Sequence, residues 1–109
     1  MFGNKTNAVE KAIRKNHVPA LIELSENKDA GVSFKAIEGL GTLGGDDASH
    51  YLITRLQDTD AKVRAAVAQA LGMVANKHTK AFLASQLKKE TDETAKKAIL
   101  DAMVKIKEY

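Results

Sequence analysis

The stretch DAKVRAAVAQALGMV, residues 60 to 74, contains almost nothing that catalysis would require. Val63, Ala66, Val67, Ala70, Leu71 and Val74 recur at the three- and four-residue spacing that lines up one buried stripe on a helix. Ala61, Ala65 and Ala68 then spread that stripe well past a single face. A helix touched by neighbours on several sides requires small side chains, because its backbone must come close to theirs. Alanine meets that requirement and is also the strongest helix former. The stretch therefore predicts an internal helix in a stack of helices.

The same pattern occurs twice more. DAGVSFKAIEGLGTL begins at Asp29 and DETAKKAILDAMVKI at Asp92, so the three copies start 31 and 32 residues apart. Equivalent positions hold Asp29, Asp60 and Asp92, then Leu40, Leu71 and Met103, then Leu43, Val74 and Ile106. The intervening segments repeat as well, pairing Tyr51 with Phe82, Leu52 with Leu83 and Leu56 with Leu87. A fixed period near 30 residues is the mark of a repeat architecture whose unit is a helical hairpin. Helices are predicted at about 7–15, 18–26, 30–43, 47–57, 60–75, 78–89 and 92–107. The double glycine of GGDDAS, from Gly44, stops one helix, and Asp46 and Asp47 are expected to cap the next and to complement its N-terminal dipole. Pro19 suits the first turn of its helix, where the missing N–H costs nothing.

These observations imply an all-α chain, a short right-handed α-solenoid of about three helical-hairpin repeats. The repeats span roughly 17–43, 47–75 and 78–107, behind a short N-terminal capping helix. A chain of 109 residues is one domain's worth, and 44% hydrophobic residues suffice for a core. The net charge of +3 is spread among interleaved acids, so no basic tract emerges, and a nucleic-acid role is disfavoured. With no cysteine there are no disulfides, thiolate metal sites or cysteine nucleophiles, a composition that suits the cytoplasm. MFGNKTNAVEK has no apolar core of signal-peptide length, and Phe2 stands where myristoylation needs glycine. No run approaches a membrane span. The expectation is a soluble, cytoplasmic protein.

The motif Asp60, Val63, Arg64, Ala66, Ala70, Leu71, Gly72 resembles the second helix of HEAT-like repeats of the type found in phycobilisome bilin lyases. The resemblance covers about residues 17–107. The first unit departs at Ser33 and Gly39, and the last has Ala95 and Lys96 for Val-Arg and Val104 for the glycine. What the resemblance implies is a protein-interaction module whose second helices line a concave face, although a few members are enzymes or bilin lyases. It also implies a structural Arg64 that bridges neighbouring loops through an acidic partner, with Asp29 or Asp92 as candidates.

Few residues stand in arrangements that could carry chemistry. His17, His50 and His78 fall at non-equivalent repeat positions, and none has a ligand partner at helical spacing. Asp46 and Asp47 are explained by helix starts, and GLGTLGG lacks the strand and the Lys-Ser/Thr of a phosphate loop. No catalytic residue, metal ligand or cofactor site is assigned, and the chain reads as a non-enzyme. The outward face of the second helices forms a ladder instead: Phe34, Ala65 and Lys97, then Glu38, Gln69 and Asp101, then Thr42, Met73 and Lys105, with Lys62 beside it. Phe34 and Met73 are apolar on a face that periodicity exposes, and such residues anchor protein partners. For Phe34, packing onto Val9, Ala12 and Ile13 of the N-terminal helix is narrowly preferred over a role as anchor. A protein or peptide is the expected partner. The charged terminal helix, with Lys96, Lys97, Asp101, Lys105 and Lys107, favours a monomer. A lyase-like accessory subunit and a weak nucleic-acid binder are the alternatives.

Overall fold

A computed structural model describes residues 4–106, which lie in seven α-helices with no strand among them. Phe2 and Lys107 lie outside the described residues. The helices are α1 (Asn4–Arg14), α2 (Val18–Leu24), α3 (Ala30–Leu43), α4 (Gly45–Arg55), α5 (Ala61–Val74), α6 (Lys80–Lys89) and α7 (Glu93–Lys105). A single 3-10 turn, Lys77–Thr79, leads into α6. Hairpins α2–α3, α4–α5 and α6–α7 lie side by side in a slab of 43 × 29 × 17 Å. The first helices of the hairpins form one layer and the second helices the other, with α1 packed on α3 and α2. The helix that looked blandest in sequence, α5, touches α3, α4 and α7.

Each second helix starts in the same way. Asp29, Asp60 and Asp92 are N-caps whose carboxylates accept from the backbone N–H of Gly31 (2.8 Å), Lys62 (2.9 Å) and Ala95 (2.9 Å). Two residues earlier, the side chains of Asn27, Asp58 and Glu90 accept from the N–H of those same aspartates, at 2.8, 2.9 and 3.1 Å. Each hairpin loop is thereby tied twice. The GGDDAS segment differs from its reading. Gly44, at φ 68, both ends α3 and precedes α4, whose first turn then contains Asp46 and Asp47 with no side-chain cap. The helix begins two residues earlier than expected, so the aspartates complement its dipole rather than cap it.

The core runs the length of the slab through Leu21, Ile37, Leu40, Leu52, Leu71, Leu83 and Ile99, all fully buried. Its closest approaches are in the second-helix layer. A Cβ added at Gly41 would lie 2.9 Å from the Cα of Ala70, and one added at Gly72 would lie 3.0 Å from the Cα of Ala102. Gly41 and Gly72 are equivalent in the repeat, as are Ala70 and Ala102, so the same glycine-on-alanine crossing joins each unit to the next. At Gly39 the neighbour is the Ile13 side chain of α1, which seats the N-terminal helix.

Two substitutions separate packing from backbone effects. Gly41→Val places branched carbons against the Ala70 backbone and is expected to destabilise the fold by about 2 kcal/mol or more in urea unfolding. Ala75 ends α5 in the left-handed region at φ 57, where the preceding unit has Gly44. Ala75→Gly is expected to stabilise by about 1 kcal/mol, read as a higher Tm.

Candidate interaction surface

Small side chains let α3 and α5 approach closely, and they leave a shallow groove above the contact. The groove encloses about 430 Å³ and lies across α3, α5 and the first turn of α7. Ala65, Ala66 and Ala70 line its base, Phe34 and Met73 supply its larger apolar surfaces, and Lys35, Glu38, Lys62, Gln69 and Thr94 complete the lining. Its volume falls within the range of ligand-sized clefts. Met73 is 45% exposed, and Phe34 is half-buried.

Of the residues singled out in the sequence, Phe34, Glu38, Lys62, Gln69 and Met73 come together around this one cavity. Thr42, Lys97, Asp101 and Lys105 are exposed but do not line it. The Thr42 hydroxyl donates back to the Glu38 carbonyl at 3.1 Å. Lys97 is ion-paired with Asp101 at 2.9 Å, one turn along α7. Phe34 lines the groove beside Lys62 and Ala65 of α5, and Ile13 of α1 lies over Gly39. Sequence reasoning missed Lys35. Its equivalents, Ala66 and Ala98, are small residues at inward positions, and a lysine in that place was the available signal. It also missed the exposed apolar pair Leu100 and Val104 on α7, which occupies positions that are buried as Ala68 and Gly72 one unit earlier.

The strongest polar contact lies away from the groove, at the loop junction of the last two units. Arg64 donates from Nε and Nη2 to the two carboxylate oxygens of Glu90, both at 2.8 Å, and from Nη1 to the Asp58 carbonyl at 2.7 Å. The acidic partner is therefore Glu90, not Asp29 or Asp92, because those two aspartates turn inward to cap their own helices. Glu90 is buried and also accepts from the Gln86 amide and the Asp92 N–H. The Arg64 hydrogen bonds hold its carboxyl at about 2, against the upward push of burial, with help from Asp92 and Gln86.

The first junction has no such arginine, since Ser33 takes its place and donates to the Ser25 carbonyl at 2.6 Å. Arg55 of α4 compensates, reaching the Tyr51 hydroxyl at 2.6 Å and pairing with Asp58 at 3.3 Å, while Tyr51 donates to Glu26 of the first unit at 3.0 Å. Burial raises the Tyr51 phenol above its ordinary value, with Ser25 and Arg55 pulling the other way. Both arginines thus stitch loops. His17 accepts from the Ala20 N–H at 3.2 Å as the cap of α2, and His50 and His78 are exposed. Among the described residues no group of three His, Cys, Asp or Glu could hold a metal ion, and no helix is long and apolar enough to cross a membrane.

Stacked helical hairpins with small-residue crossings and a groove on the second-helix layer define an α-solenoid of repeats. The chain belongs to the HEAT repeat family, whose model matches residues 51–108, more than half of its length. Comparison with curated proteins finds no match.

Glu90 yields a pH prediction. Its folded value of about 2 lies below the ordinary 4.5, so the stabilisation it gives is complete above pH ~4.5 and declines as pH falls toward 2. A shift of this size corresponds to about 3 kcal/mol. Glu90→Ala is expected to lose about that much at pH 7 and to flatten the acid limb of a stability-against-pH curve measured by urea unfolding.

Proposed function

We propose that this chain is a non-catalytic interaction module that holds a protein or peptide segment in the groove above α3 and α5. The observation that carries the reading is an alanine-based cavity between Phe34 and a substantially exposed Met73, on the layer where repeat solenoids build their binding surfaces. Methionine adapts its shape to apolar partners, and an aromatic ring at one end of a cleft supplies a rigid anchor. Glu38, Gln69 and Lys62 offer polar groups along the sides, with Lys97, Asp101, Lys105 and Thr42 extending the surface beyond the cavity.

Several polar groups that chemistry could recruit serve the fold instead: His17 caps a helix, and Arg64 and Glu90 join two loops. Asp46 and Asp47 sit exposed in the first turn of α4, away from the groove. We therefore assign the groove no catalysis, no cofactor and no bilin-lyase activity. The base of the groove is alanine, which offers nothing to a phosphate backbone, and the basic residues of the chain form no continuous tract, so a protein partner is preferred to nucleic acid. The chain is taken to act as a cytoplasmic monomer.

A photo-crosslinking amino acid placed at Gln69 is expected to give a discrete protein adduct in native lysate, whereas the same probe at Lys88, on the other layer, gives none. Equal labelling from both positions overturns the groove as the binding surface. Phe34→Ala is expected to abolish the adduct while lowering stability by about 1 kcal/mol or less, checked by thermal melting. A loss of several kcal/mol with the adduct retained would make Phe34 a packing residue only.

A further inference from the structure

We infer that the segment held in this groove is acidic as well as apolar: one or two large apolar side chains flanked by Asp or Glu. The inference rests on the proposed function and specifies the chemistry of its partner. Two lysines, Lys35 of α3 and Lys62 of α5, line the cavity and are exposed, and neither has an ion pair among the described residues. Glu38 is the one carboxylate among the described lining residues. Farther along the same layer, Asp101 is ion-paired with Lys97 at 2.9 Å, and Lys105, its stem near Gly72, has no ion pair among the described residues.

The lining thus carries two lysines against one carboxylate, a net positive charge, and Lys105 adds another farther along the layer. A base of alanine side chains between Phe34 and Met73 has no hydrogen-bonding group to offer, so what fills it must be apolar. An unpaired ammonium beside an apolar site attracts a carboxylate and disfavours a basic segment, so charge selects the partner while burial supplies the affinity. Phosphate-rich strands satisfy the lysines but leave the alanine base unfilled.

The test uses the full chain and two fluorescent peptides of equal length. Each has the same central leucine and phenylalanine, and the flanks are glutamate in one and lysine in the other. Fluorescence anisotropy is expected to show the glutamate peptide binding at least about tenfold more tightly, with the preference shrinking as salt rises. In the double variant Lys35→Glu, Lys62→Glu the preference is expected to invert, and circular dichroism checks that the variant remains folded. Equal affinity for both peptides, tighter binding of the lysine peptide, or no binding up to about 1 mM overturns the inference. So does displacement of the glutamate peptide by single-stranded oligonucleotide as readily as by its own unlabelled form. Equal affinity leaves the groove standing as a binding surface, whereas indiscriminate crosslinking at Gln69 and Lys88 removes the groove itself.

Discussion

The crossing of glycine on alanine between successive second helices sets the geometry on which the rest of this molecule depends. At Gly41 over Ala70, and again at Gly72 over Ala102, there is no room for a further carbon atom. Helices that meet so closely bring their buried stripes into register, and the aliphatic core can then run unbroken through all three hairpins. Dispersion contacts are weak singly and fall away within fractions of an ångström, so this register governs the cohesion of the whole stack. The first helices of the hairpins contribute Leu21, Leu52 and Leu83 to the same core.

At the loop ends, polar contacts take over from packing, and the two junctions use different solutions. A bidentate arginine–carboxylate pair closes the second, where Glu90 is buried and collects donors from three further groups or backbone sites along its own loop. The first junction relies on a hydroxyl, a phenol and an arginine reaching across from α4. Removing one partner of the buried pair strands a charge, whereas the carboxylates of the first junction, Glu26 and Asp58, keep access to water. The buried Glu90 therefore makes the second junction the one whose cohesion acid weakens.

Much of the architecture was legible because it is periodic. The Asp29, Asp60 and Asp92 starts, the leucine positions and the small residues at Gly39, Ala70 and Ala102 all express one repeated unit, and all seven helices were foreseen within a few residues at either end. What escaped was aperiodic. Glu90 occupies the loop position that holds Asn27 and Asp58 in the other units, so three different residue types concealed one shared task, and its ion pair with Arg64 depends on a loop path that no hydrophobic pattern encodes. Lys35 stands where the other units have Ala66 and Ala98, so the repeat pattern assigns it no outward role. Leu100 and Val104, 49% and 78% exposed, carried a readable signal in their alignment with buried positions of α5, but the charges around them masked it.

Alanine at positions 65, 66 and 70 serves two ends at once. The same missing bulk that lets neighbouring backbones close up also hollows the surface above them, so the groove is a by-product of cohesion rather than an addition to it. The lysines and the glutamate at the lip contribute little to holding the stack together and can change with small thermodynamic consequence. The packing of the stack and the charge of the lip are thus set at separate positions of one layer, and the lip can be altered without disturbing the crossing beneath it.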